Sequence, residues 1–140
     1  MNWLFWSLLS ALFAAATAIL AKLGVEHVDS NLATAVRTTV VLVLAWGIVF
    51  AFGSHRELAA LDRRSVVFLV LSGLATGLSW ICYFRALATG PVSKVAPIDK
   101  LSVAMAIVFA WLLLGESMTR GKVIGGALIL AGAIVIAVMP

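Results

Sequence analysis

Long apolar runs, separated by short polar breaks, make up most of the chain. A helix that crosses the hydrocarbon layer of a bilayer needs about 20 mostly apolar residues. The breaks carry glycine, proline or charged residues, which end helices or mark a membrane interface, and such short connections make neighbouring helices antiparallel. The pattern predicts five transmembrane helices, at approximately residues 3–23, 32–52, 65–88, 95–114 and 123–139.

The composition supports the same fold class. Of the 140 residues, 64% are hydrophobic and 11% are charged, whereas soluble domains have roughly 45–50% apolar and 25% charged residues. A water-soluble protein with so few charges would lack the surface that keeps it in solution. We therefore predict an all-α integral membrane bundle, forming one domain over residues 1–140, as a multi-pass protein of the inner (cell) membrane without enzymatic activity.

The charges and the metal-ligating residue types argue against further classes. The formal net charge is +4, but the Lys and Arg residues are scattered rather than gathered in a basic tract typical of nucleic-acid binding. Cys82 is the single cysteine, so an intramolecular disulfide is excluded. His27 and His55 lie in breaks, without the spacing of a metal or catalytic site. We expect no cofactor, no metal and no nucleic-acid partner.

Several charges fall inside the predicted spans, all toward one membrane face. Arg37 lies five residues into its run, about 8 Å deep at 1.5 Å per residue, and a charge at the centre of a bilayer costs roughly 2.5 to 3.5 kcal/mol. Such residues usually face a bundle interior or a water-filled cavity. We expect a basic vestibule for Arg37, Asp99 and Lys100; snorkelling to the headgroups is the alternative for Arg37 and Arg85, and the favoured interpretation for Lys22 and Lys94.

The start of the fourth run is the most informative stretch. Pro91 and Pro97 lie six residues apart, and because proline disfavours helix in the residue before it, regular helix is expected to begin near Pro97. Asp99 would then lie in the first turn, favoured by the helix dipole. Adjacent residues point in different directions, so Asp99 and Lys100 should find separate partners, with Arg37 or Arg85 expected for Asp99. The predicted break either lines a cavity, as in many transporters, or is an ordinary helix start.

Aromatic and small residues add two helical patterns. Trp80, Tyr83 and Phe84 share a helical face or its edge, and Trp80 either lines a cavity or packs in the bundle. Small residues recur at four-residue spacing, which lets helix backbones approach in lipid. They are Ser10, Ala14 and Ala18 in the first run, Gly73 and Gly77 in the third, and Gly121 and Gly125 in the fifth.

The order of several motifs resembles that of a known family. The third run closes on Tyr83-Phe84 and Ala86-Leu87, followed by Gly90-Pro91, and Pro97 opens the fourth. Gly115-Glu116 follows the fourth run, and Gly121, Gly125 and Gly132 lie along the fifth. Together these motifs resemble one repeat of the EamA-like domain of the drug/metabolite transporter superfamily, over essentially the whole chain. The familiar members of that family contain two such repeats in inverted orientation, ten spans in all, and this sequence has one.

The resemblance implies a transporter, and we expect an exporter of a small polar or amphipathic metabolite. Basic residues would attract an anionic group, Asp99 would hold them in place or titrate, and aromatic rings would cover the apolar part. Two alternatives stay open, a lipid-headgroup flippase subunit and a non-transporting membrane scaffold or assembly subunit. The expected substrate-binding residues are Arg37, Trp80, Tyr83, Arg85, Asp99 and Lys100, with Pro91 and Pro97 as helix breaks.

The membrane orientation bears on how a second repeat is supplied. The second and fourth breaks carry five basic residues, whereas two lie in or beside the first and third breaks. This difference favours an N-terminus on the cytoplasmic side. Counting Arg37, Arg85 and Lys100, which lie within the distance over which orientation signals act, makes the two faces equal. A chain with balanced faces can insert both ways. We therefore expect an antiparallel homodimer in the lipid bilayer; a parallel dimer or a different partner protein is the alternative.

Overall fold

The computed structural model describes residues 2–139 and consists of helices. The bounds are α1 Trp3–Val25, α2 Ser30–Ala51, a 3-10 helix Ser54–Ala60, α3 Arg63–Thr89, α4 Val92–Asp99, α5 Leu101–Leu114 and α6 Arg120–Val138. With α4 and α5 counted as one span, five helical segments are long and apolar enough to cross a membrane. The predicted all-α fold with five spans is confirmed; the first and last residues of the predicted domain lie outside the described part.

The polar breaks supply the helix caps. Asp29, Asp62 and Thr119 precede α2, α3 and α6, and in each case a side-chain oxygen accepts hydrogen bonds from backbone N–H groups two or three residues later. These bonds satisfy N–H groups that have no partner inside the helix. Hydrogen bonds from the Ser65 side chain and backbone hold the pKa of Asp62 below its ordinary value. The acids in these breaks therefore end the connections rather than serve a vestibule.

Two glycines take the backbone conformation that ends a helix. Gly53 follows α2 with φ 73°, and Gly115 follows α5 with φ 68°. A residue with a Cβ rarely adopts this left-handed conformation, whereas glycine does so without steric strain. The Gly115 turn stops α5 and leads into the connection that ends at the Thr119 cap. Both turns fall in breaks that the hydropathy pattern predicts.

The fourth span differs from the sequence prediction. Helix α4 begins at Val92, directly after Pro91, and continues through Pro97 to Asp99, so the prediction that regular helix begins near Pro97 is wrong. Pro91 has extended backbone and accepts the first hydrogen bonds of the helix on its carbonyl, from the N–H groups of Lys94 and Val95. The α4 residues before Pro97 are therefore already helical, which overrides the local bias against helix at position 96.

The interruption in this span falls after Pro97 instead of before it. Proline removes the hydrogen bond that the carbonyl four residues earlier would accept, and the helix lasts only two residues longer. The Lys100 N–H donates to the Pro97 carbonyl, three residues back, at 3.1 Å, and α5 begins at Leu101. The span is broken as expected, but at Lys100.

The chain forms two compact units. The first, the α2–α3 unit, covers Ala21–Ala88 and contains the end of α1, α2, the 3-10 helix and nearly all of α3. The second, the α4–α6 unit, covers Met1–Leu20 and Thr89–Pro140. Leu87 of the α2–α3 unit has no exposed surface, and Phe84, Val25 and Ala21 of the same unit are also buried. Most other apolar side chains are exposed, which is the arrangement expected of helices that face lipid.

Ala18, one of the predicted small residues, is buried, and a small residue outside the predicted pattern also contributes to packing. In the α4–α6 unit, a Cβ at Gly126 would lie 3.5 Å from the Ile107 side chain, so this buried glycine lets α6 approach α5. At Gly73, Gly77 and Gly125, a Cβ would meet no atom within 4 Å in the described residues. These three glycines therefore present open surface in the single chain.

Candidate functional site

Arg37 projects from α2 onto two aromatic rings of α3. Its guanidinium carbon lies 4.2 Å from the centroid of the Trp80 ring and 5.5 Å from that of Phe84. Trp80 and Phe84 are four residues apart and so lie on one face of α3. A guanidinium over an aromatic face is attracted by the ring quadrupole, by about 0.5 to 2 kcal/mol depending on how far it is desolvated. The charge of Arg37 is thus covered by aromatic rings.

The polar edge of the same guanidinium has no protein acceptor. Among residues 2–139, Arg37 forms no ion pair and donates no hydrogen bond, although its side chain is partly buried. A guanidinium carries five N–H donors, and a polar group in a membrane protein needs a partner or water. These donors are therefore available to water or to a ligand.

Tyr83 and Arg85 lie on α3 directly before and after Phe84. Tyr83 is partly buried and lies with its ring 6.4 Å from that of Phe84. Arg85 donates from Nη2 to Asn31 Oδ1 at 3.4 Å, which connects the end of α3 to the first turn of α2. We name Arg37, Trp80, Tyr83, Phe84 and Arg85 the Arg37 site. It brings together four of the six predicted substrate-binding residues and adds Phe84.

Lys22 and Lys94 have a different role from the headgroup anchors expected of them. Lys22 Nζ donates to the Leu87 carbonyl at 2.8 Å, near the end of α3, and Lys94 Nζ donates to the Ala137 carbonyl at 3.3 Å, near the end of α6. The last carbonyls of a helix have no partner within it and form the negative end of the dipole. Each lysine therefore stabilises the C-terminal end of another helix in its own unit.

Asp99 and Lys100 bind each other, so the prediction that they find separate partners is wrong. Lys100 Nζ lies 3.1 Å from Asp99 Oδ2, and the Asp99 carbonyl accepts a hydrogen bond from Ser102 Oγ at 2.7 Å. The helix is interrupted at Lys100, and the long lysine stem reaches back to its neighbour. Their side chains are 36% and 54% exposed for Asp99 and Lys100. The expected pairing of Asp99 with Arg37 or Arg85 stays a prediction.

Sequence reasoning missed Phe84 as a member of the site and Asn31 as the partner of Arg85. The signal for Phe84 was present, because a residue four positions after Trp80 shares its helical face. Asn31 gave no such signal, since it lies in a polar break where an amide is expected to be solvated. Its pairing with Arg85 depends on how α2 and α3 pack side by side.

Comparisons with known proteins agree with this architecture. Residues 1–138 match the EamA-like transporter family. A Sinorhizobium protein described as an "uncharacterized transporter in cobO 3'region" is 48% identical over 137 residues, which cover 98% of this chain and 97% of that protein. No solved structure matches the chain.

The contact between Arg37 and Trp80 predicts energetic coupling. In a double-mutant cycle of Arg37→Met and Trp80→Leu, followed by unfolding in detergent, we expect a coupling free energy of about 0.5 to 2 kcal/mol. The matched control is Arg64→Met with Phe68→Leu, where the guanidinium lies 5.9 Å from the ring and the coupling should be smaller. A coupling of zero between Arg37 and Trp80 would contradict the stacked arrangement.

Proposed function

Since the chain belongs to the EamA-like transporter family and is therefore a multi-pass membrane transporter, we propose that it exports a small amphipathic metabolite with an anionic group, which Arg37 binds. The observation that carries this proposal is the Arg37 guanidinium, whose carbon lies 4.2 Å from the Trp80 ring centroid and 5.5 Å from that of Phe84, with no protein acceptor among residues 2–139. Lys22 and Lys94, by contrast, already donate to carbonyls. Arg37 is thus the intramembrane cation best prepared for an external anion.

The position of Arg37 over an aromatic ring suits an anion that binds the N–H groups of its guanidinium. The planar N–H edge of a guanidinium matches a carboxylate or a phosphate with two parallel hydrogen bonds. While no substrate is bound, the rings and water stabilise the charge. A water-filled cavity must therefore reach Arg37 from one membrane face. The rings of Tyr83 and Phe84 would cover the apolar part of the substrate.

The break in the fourth span supports a conformational role for Asp99 and Lys100. The span changes helix at Lys100, where the exposed Asp99–Lys100 pair lies. Transporters use interrupted helices as places where a span bends, and an exposed ion pair is weak enough to break and re-form. We assign these two residues to the hinge of the fourth span.

Removal of the guanidinium is expected to abolish most of the flux. Proteoliposomes containing the wild-type protein and loaded with a panel of labelled carboxylates and phosphate esters should release at least one of them. A hydrogen bond to a charged group contributes about 1.5 to 3 kcal/mol, so Arg37→Gln should lower that flux by roughly ten- to a hundredfold. The measurement is the release of label with time at equal protein density.

The matched control for the flux measurement is Arg120→Gln, which removes the same charge at the start of α6. This variant should keep the wild-type rate. Unchanged flux in Arg37→Gln would contradict the proposed binding role. Movement of phospholipid headgroups with no release of any soluble anion would identify a flippase instead.

We propose further that the functional unit is an antiparallel homodimer. One five-span repeat requires a second copy to give the inverted pair that the resemblance implies, and two opposed vestibules are what alternating access needs. The Sinorhizobium relative is matched over 97% of its length, so a chain of one repeat is not peculiar to this sequence. The open surface at Gly73 and Gly77 on α3 supports close contact with another helix in lipid.

Reporter fusions at the C-terminus test this orientation. We expect a periplasmic reporter, such as alkaline phosphatase, and a cytoplasmic reporter, such as a green fluorescent protein, to give comparable signals in the bacterial inner membrane. Two lysines added beside Asn2 should collapse the signals to one side, because basic residues are retained in the cytoplasm. A signal on one side only, without the added lysines, would rule out the antiparallel homodimer.

A further inference from the structure

The connection between α2 and α3 folds back onto the end of α2. The His55 ring lies 5.3 Å from that of Phe50, which lies 5.7 Å from that of Trp46. This arrangement leaves a groove of about 260 Å³ between α2 and the 3-10 helix. Its lining is mainly apolar, with Trp46 and Val49 on one side and Leu58 and Leu61 on the other, and with the carboxylate of Glu57 as a charged group.

The position of the groove near the end of a membrane span predicts that it lies at the depth of the lipid glycerol backbone and upper acyl chains. Trp46 precedes the end of α2 at Ala51 by five residues, about 8 Å at 1.5 Å per residue, and tryptophan is typical of this interfacial level. Leu58 and Leu61 are 55% and 47% exposed. Because they belong to a connection rather than a span, contact with an acyl chain would remove that apolar surface from water.

Three arginines in the same connection have no acidic partner. Among residues 2–139, Arg56, Arg63 and Arg64 form no ion pair. Asp62 lies beside two of them, but its Oδ2 atom accepts hydrogen bonds from the N–H groups of Arg64 and Ser65 at the start of α3. The connection therefore combines unpaired guanidinium groups with an apolar groove, which complements a phosphate headgroup above an acyl chain.

We propose that the end of α2 and residues 53–64 bind one anionic phospholipid, with an acyl chain in the groove and the phosphate on the arginines. Glu57 would accept hydrogen bonds from headgroup hydroxyls, which selects phosphatidylglycerol over a headgroup without donors. This lipid is a bound partner and not the transported substrate, so the site is separate from the Arg37 site. Basic side chains at a membrane surface attract anionic lipid roughly fivefold each.

Trp46 lines the groove and reports directly on the lipid beside it. We would retain Trp46 as the single tryptophan, with Trp3, Trp6, Trp80 and Trp111 changed to phenylalanine, and reconstitute the variant in phosphatidylcholine vesicles containing brominated phosphatidylglycerol. Bromine quenches the fluorescence of a tryptophan that it contacts. Quenching should exceed the value set by the mole fraction of brominated lipid, and the preference over brominated phosphatidylcholine should be at least about tenfold.

Two further variants distinguish a built site from ordinary lipid contact. With Trp111 as the single tryptophan, exposed on α5, quenching should follow the mole fraction. Changing Arg56, Arg63 and Arg64 together to glutamine in the Trp46 protein should remove the preference, whereas Arg120→Gln with Lys122→Gln should retain it.

The proposal is overturned if Trp46 quenching follows the mole fraction, or if the preference survives the triple arginine change. The supporting pattern is a preference that is kept when Arg120 and Lys122 are changed to glutamine and is lost when Arg56, Arg63 and Arg64 are changed together. Loss of preference in the Arg120 and Lys122 control as well would assign the effect to general surface charge and would also overturn the proposal. The comparison of brominated phosphatidylglycerol with brominated phosphatidylcholine uses the single-tryptophan protein with all its arginines. A folding defect in the triple arginine variant therefore does not affect that comparison.

Discussion

A charged side chain within a bilayer needs a source of stabilisation other than hydrocarbon, and this constraint explains the positions of the basic residues inside the spans. Lys22 and Lys94 meet it by donating to carbonyls near the ends of α3 and α6. Arg37 meets it with the faces of Trp80 and Phe84. The carbonyls accept hydrogen bonds from the two lysine ammonium groups. The aromatic rings stabilise the positive charge of Arg37 but leave its N–H groups without a protein acceptor among residues 2–139.

This difference connects the structure to transport. A lysine that already donates to a carbonyl of its own unit gains little from an external anion. An arginine whose rings hold it in place has lost part of its conformational freedom before substrate arrives, so less entropy is lost on binding. The aromatic rings therefore position the guanidinium as well as stabilise its charge. In the proposed function, the aromatic residues that stabilise Arg37 in the membrane also prepare it to bind the substrate.

The sequence predicts the spans well because hydropathy and helix-ending residues act locally. The contact of Arg37 with α3 is also within reach of sequence reasoning, since a deep arginine needs a polar or aromatic partner and Trp80 has helical spacing to Phe84. The fourth span is harder to predict. Pro97 disfavours helix in the residue before it, but the helix already begins at Val92 and continues through this position. The contact of the Lys100 side chain with Asp99 depends on where the helix is interrupted.

The lysine–carbonyl contacts escape sequence reasoning for another reason. The side chain of a lysine near the end of a span either extends to the lipid headgroups or reaches the end of an adjacent helix. Both arrangements have the same sequence pattern. Only the packing of α1 beside α3, or of α4 beside α6, brings an acceptor within reach of Nζ. The partner of Arg85 is determined in the same way, by the approach of Asn31 in the α2–α3 unit.

The most direct test of the account is whether water reaches position 37. In a Cys82→Ala background, a membrane-impermeant thiol reagent applied to each side in turn should modify Arg37→Cys from one side. Val36→Cys, exposed at the same depth on another face of α2, and Leu42→Cys, deeper in the span, should react poorly because they face lipid. Rapid reaction at position 37 alone is the expected result. Equal protection of all three cysteines would contradict an aqueous cavity at Arg37.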